Sequence, residues 1–135
     1  MPRDLGLLLL RIVIGALMVG HGLGKIGDLF GSEVVFPDPI GLGAQTSLAL
    51  AAGAETFGAL LVLIGLCTRF AALPVVFTMG VAAFVVHRED VFGDGELALV
   101  YAATYAALVF TGPGRWSVDG HLSRKRARRK QEAAQ

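Results

Sequence analysis

The chain has 135 residues, 54% of them hydrophobic and 17% charged, with a mean hydropathy of +0.63. Its length argues for one domain, and its charge share lies well below the roughly 25% of soluble globular domains. Cys67 is the single cysteine, which excludes an intramolecular disulfide and a C-x-x-C redox pair.

The first apolar run, residues 5–24, carries Arg11 as its only fixed charge. At 1.5 Å per residue it spans roughly 30 Å, the thickness of a bilayer's hydrocarbon core. Arg11 interrupts the apolar stretch and no Ala-x-Ala site follows, so a cleaved secretory signal is not expected. At about 100° per residue, Lys25 lies some 40° from Arg11, and His21 some 80° away on the same side. Gly15, Met18 and Gly22 fall inside or beside that wedge. The segment 25–45 is rich in Gly and Pro, and Phe36-Pro37-Asp38-Pro39 halts helix formation.

The second run, 46–66, holds Glu55 near its middle among Ala51, Ala52, Ala54, Gly58 and Ala59, small residues that let membrane helices pack closely. After a break at Cys67–Arg69, in which Thr68 is placed to cap the next helix, comes the third run, 70–86. It has no charge, and Pro74 falls in its first turns, where a mild kink is the most to expect. The acidic, Gly-rich stretch His87–Glu96 leads to the fourth run, 96–111, which Gly112-Pro113-Gly114 closes. The expected fold is all-α: an integral membrane four-helix bundle over residues 1–116, followed by a basic cytoplasmic tail, 117–135.

Four spans place both termini on one side. That side would carry Arg3, Arg69 and seven tail cations (Arg115, Arg124, Lys125, Arg126, Arg128, Arg129, Lys130), against Lys25 and Arg88 opposite. Nine against two predicts cytoplasmic N- and C-termini by the positive-inside rule. RKRARRK (124–130) has no interleaved aromatics and follows a membrane helix, so anionic lipid headgroups are its expected partner rather than nucleic acid. Trp116 reads as an interfacial anchor. Gly20-x-x-x-Gly24 and the ladder Ala98, Ala102, Ala106 offer packing seams on which a homo-oligomer could assemble.

The ionisable residues inside the apolar runs carry the functional question. Arg11 either snorkels to the headgroups or pairs with Glu55, the only acid at mid-membrane, with Arg69 as Glu55's second candidate partner. Such a pair could simply clamp the first two helices together. His21, Lys25, His87 and Glu96 lie near the outer ends of their helices, with Tyr101 a turn further along the fourth. They form either an ordinary interfacial rim or a polar funnel leading down to Glu55. No close metal-binding motif is present and no metal is assigned.

In order and register these motifs resemble the DoxX family of small bacterial four-helix membrane proteins. The resemblance rests on Leu-Leu-Arg11, His21-Gly22-x-x-Lys25, Glu55-x-x-Gly58, Gly65-x-x-Thr68-Arg69, His87, Glu96 with Tyr101, and Gly112-Pro113-Gly114-Arg115-Trp116-Ser117. It covers roughly residues 5–120 and implies a bacterial inner-membrane protein with a link to quinone-dependent redox work. One branch of the family is associated with the membrane subunit of a thiosulfate:quinone oxidoreductase, and others with sulfur or oxidative-stress systems. The leading expectation is therefore a membrane subunit whose outward funnel binds ubiquinone or menaquinone, with no covalent cofactor and with electrons from a partner redox subunit. His21 or His87 would donate hydrogen bonds and exchange protons, Lys25 would stabilise developing negative charge, and Glu55 would relay protons. The alternatives are a non-catalytic anchor or assembly protein, and a small transporter or proton pathway along Glu55.

Overall fold

A computed structural model describes residues 2–133, and no strand occurs among them. Four helices build the bundle: α1 (Pro2–Leu29), α2 (Ala44–Ile64), α3 (Thr68–Val86) and α4 (Glu96–Thr111). A fifth, α5 (Val118–Glu132), follows. The chain runs up α1, down α2, up α3 and down α4, so the termini share one end and the 30–43 and 87–95 loops the other. Each of the four bundle helices packs on its sequence neighbour, as short connections between antiparallel helices dictate.

The apolar surface is inverted relative to a soluble bundle. Phe57, Phe70, Phe77 and Phe110 are exposed, and only 28% of the most apolar window of α1 and of α3 is buried, against half of that of α2. Outward-facing Leu, Val and Phe on helices of 28, 21 and 19 residues are what a lipid solvent requires. Inside, Met18, Val62, Val75, Tyr105 and Leu108 fill the core, and alanines keep the axes close. α1 buries Arg11, Ile14, Gly15, Met18 and Gly22, the face that the charge spacing marks out.

Two glycines set the α1–α2 approach. A Cβ on Gly22 would lie 2.6 Å from the Thr56 nitrogen and 2.8 Å from the Glu55 carbonyl carbon, and one on Gly15 would lie 2.8 Å from Leu63 Cβ. Gly20 and Gly24 face open space, so their stripe takes no part in the packing of the bundle. α2 and α3 each contain one π-helical turn, Ala54–Gly58 and Ala82–Val86, which the sequence pattern does not announce. α3 continues as helix through Pro74.

The first helix is longer than its apolar run: it continues through Lys25 to Leu29, because Gly27 and Asp28 are tolerated in its final turn. Thr68 does not cap α3. Cys67 holds the N-cap position in a left-handed conformation (φ 48°), and Asp119 supplies the acceptors, taking the Cys67 N–H at 2.9 Å and the Thr68 N–H at 3.0 Å. The tail is therefore joined to the bundle beyond residue 117. Its own helix starts with Ser117 accepting the Gly120 N–H and carries Arg129 and Lys130 in its last turn, charges that suit a helix C-terminus.

Gly22→Ala should destabilise the protein by ~1–3 kcal/mol through overpacking against the π-turn of α2, whereas Gly24→Ala should be neutral or slightly stabilising. Thermal unfolding of both variants in detergent micelles measures the difference.

Candidate functional site

Glu55 sits in the π-turn of α2, is wholly buried, and its Oε1 accepts a hydrogen bond from Lys25 Nζ across the α1–α2 contact. The longer α1 makes this contact available, since it carries Lys25 one turn beyond His21 and over the opposing π-turn. The Lys25 side chain is 26% exposed and lies 6.0 Å from the Phe36 ring centroid. Glu55 Oε2 and Thr56 Oγ1 are buried and lack a hydrogen-bond partner among the described residues.

Pairing of Glu55 with Arg11 or Arg69 does not occur. Gly22 marks the Glu55 level on α1, and Arg11 lies eleven residues below it, roughly 16 Å along the helix axis. Arg11 instead donates to the Trp116 carbonyl, lies against Gly65 and interacts electrostatically with Asp119. Arg11 is 1% exposed, so it does not snorkel to solvent. Arg69 is exposed at the same end and donates weakly to the Phe110 carbonyl at 3.4 Å.

At the loop end His21, Lys25, Glu55, His87 and Tyr101 line one cavity of about 190 Å³ between α1, α3 and α4. The His21 ring meets Tyr101 edge-on, with centroids 5.7 Å apart. Tyr105, one turn deeper, donates to the Ile14 carbonyl at 3.4 Å. Glu96 is not part of this group. It is exposed at the first position of α4, about 140° around the helix from Tyr101. Asp94 lines the cavity in its place, together with Met18, Met79, Leu97 and Ala98. Met18 was visible in the charged wedge of α1, but Asp94 is indistinguishable in sequence from the other acids of its loop.

Asp38 pins the 30–43 loop to the start of α2. Its Oδ1 accepts from the Leu42 N–H and the Ser47 hydroxyl, and its Oδ2 from the Gly43 N–H, each at 2.9 Å. These donors, the Gly43 N–H foremost, hold the Asp38 carboxyl below its ordinary range.

Outward apolar faces and a helical bundle in which three helices are long and apolar enough to cross a membrane define an integral membrane protein. The DoxX family model matches residues 6–88, and the chain belongs to the DoxX family. Relatives include the inner membrane protein YqjF of Escherichia coli, 31% identical over 91% of this chain and 96% of that protein. A protein of Bacillus subtilis named "Putative oxidoreductase CatD" is 32% identical over 86% of each chain. The uncharacterized membrane protein Rv3486 of Mycobacterium tuberculosis is 27% identical over 86% of this chain and 80% of its own length. No solved structure matches the chain.

In a double-mutant cycle, Lys25→Met and Glu55→Gln should couple by at least ~1 kcal/mol, because the first change strands a buried carboxylate and the second a partly buried ammonium. Arg11→Ala and Glu55→Gln should add within ~0.5 kcal/mol, as separate sites do. Denaturant unfolding in mixed micelles reads both cycles. For Asp38 the lowered carboxyl means that its contribution is complete above the ordinary value near pH 4 and is lost as pH falls through the lowered one. Amide-exchange protection at Leu42 and Gly43 should thus hold at neutral pH, collapse on strong acidification, and be absent at all pH values in Asp38→Ala.

Proposed function

We propose that this chain is the membrane subunit of a quinone-linked oxidoreductase system of the bacterial inner membrane, with both termini cytoplasmic and the polar cavity facing outward. The observation that carries this reading is the convergence of His21, Lys25, Glu55, His87 and Tyr101, from segments distant in sequence, on one cavity. The excess of cations at the termini end supports the orientation. The name of the B. subtilis relative supports redox work.

The residues suit a quinone ring. Lys25 and His21 are donors for its carbonyls, while the unpartnered Glu55 Oε2 accepts from the hydroxyl of the reduced form. A bound quinone supplies two-electron, two-proton redox chemistry, the electrons coming from a partner redox subunit. His21, exposed at the rim, exchanges protons with water, and Glu55 holds or receives a proton at the buried end. Lys25 offsets negative charge on the ring oxygen. At the other end the exposed cations of α5, with half-exposed Trp116 beside them, bind anionic lipid headgroups.

Titrating nanodisc-embedded protein with ubiquinone and with menaquinone tests the reading. One saturable site is expected, weakened about tenfold in His21→Ala, the loss of roughly one hydrogen bond to the ring. Absence of saturation with both quinones, or an unchanged affinity in His21→Ala, contradicts it.

A further inference from the structure

Two cavities meet at the Lys25–Glu55 pair. Beside the polar one lies a cleft of about 260 Å³ between α2 and α3, roofed by Phe36, Pro39 and Ile40. Lys25, Glu55 and Ala82 line both. Each π-turn contributes an alanine to the cleft wall, Ala54 from α2 and Ala82 from α3, so the widened turns leave room where the two spaces join. Leu50 and Phe77 on its flanks are 56% and 63% exposed, which opens the cleft on the lipid-facing side of the bundle.

Apart from the ion pair, the polar side chains in the cleft are already satisfied. The Ser47 hydroxyl donates to Asp38 and the Thr78 hydroxyl donates to the Pro74 carbonyl. Nothing there asks for a polar guest, and the walls offer carbon. At the inner end the pair cancels its own charge, yet Glu55 Oε2 remains without a donor and Asp94 adds a second carboxylate to the polar cavity. An anionic head would meet both carboxylates, with Lys25 already engaged. A neutral head with a hydroxyl or carbonyl meets a free acceptor and an ammonium that keeps spare N–H donors.

We infer that the α2–α3 cleft is a lateral port that takes the hydrocarbon tail of a neutral-headed amphipath, whose head lies past the Lys25–Glu55 seam in the polar cavity. This rests on the quinone reading for the head, and adds where the tail lies and which heads are refused. The ligand enters sideways from the bilayer, and the 30–43 loop, pinned by Asp38, roofs the tail.

The test uses nanodisc-embedded full-length protein and a decyl-tailed ubiquinone carrying a diazirine midway along its tail. After photolysis, mass spectrometry should place the adducts on Leu50, Phe77 and Ile40. Excess tail-less ubiquinone ring should suppress them at least tenfold, because the two compounds share the head site. Val81→Phe, which narrows the cleft, should cut labelling at these residues several-fold. A fatty acid carrying the same diazirine should label them at least tenfold less. Ring-suppressible adducts confined to Met18 and Leu97, or to the outer faces of α1 and α4, would overturn the port while leaving head binding intact. Equal labelling of the cleft by the fatty acid would overturn the selection for neutral heads. No ring-suppressible labelling anywhere would overturn both the port and the quinone reading.

Discussion

The pair formed by Lys25 and Glu55 is the constraint around which the bundle is arranged. A carboxylate wholly removed from solvent is tolerated only with a counter-charge and hydrogen bonds, because desolvation of either ion alone costs several kcal/mol. The chain meets that demand with geometry rather than with more charge. Gly22 lets α1 touch the backbone of α2 at Thr56, and the π-turn presents Glu55 on the contact. The helical extension to Leu29 brings Lys25 over it from the loop end. The pair is left incomplete on one side, at Glu55 Oε2, and two cavities open there. A π-turn costs a regular hydrogen bond and recurs where helices serve function. Here both such turns border the same junction.

The other end of the bundle solves a different problem with a second buried ion. Arg11 fills the space under Gly65, whose left-handed backbone (φ 76°) ends α2, and bonds the carbonyl of Trp116. Asp119 then caps α3 and returns its own N–H to the Gly65 carbonyl at 2.9 Å. Start of α1, end of α2, start of α3 and the root of α5 are thus tied at one junction, and the Arg115 N–H bound to Asp4 adds a further tie. The ends are specialised: the termini end is cross-braced by hydrogen bonds, while the loop end carries the polar cavity.

Much of this was legible in the sequence, and the failures have physical causes. The four apolar runs marked by hydropathy and Gly-Pro punctuation are helical in the structure, three of them long and apolar enough to cross a membrane and the fourth shorter. The angular wedge on α1 correctly marks its buried face. What misled was depth. Apolar-run boundaries put Arg11 and Glu55 both inside the membrane, but only the close approaches at Gly15 and Gly22 fix the register between α1 and α2, and that register matches Glu55 with Lys25. The same blindness to register let Glu96 stand for Asp94 at the cavity. The α5 cap on α3 joins residues some fifty positions apart, and the π-turns depend on tertiary packing, so neither leaves a local pattern to read. His21, Lys25, Glu55, His87 and Tyr101, which the fold gathers at one cavity, stand out in the sequence because each is an ionisable or aromatic polar group within or beside an apolar run.

Helix register, cavity and port all depend on which cation faces Glu55. Solid-state NMR on protein in lipid bilayers, with carboxyl ¹³C in glutamate and side-chain ¹⁵N in lysine and in arginine, measures this through dipolar recoupling. Glu55→Gln identifies the glutamate signal. A strong coupling between the Glu55 carboxyl and Lys25 Nζ, with none to the Arg11 guanidinium, is the predicted result. Coupling of Glu55 to Arg11 in its place would contradict the helix register, the cavity and the port built upon it.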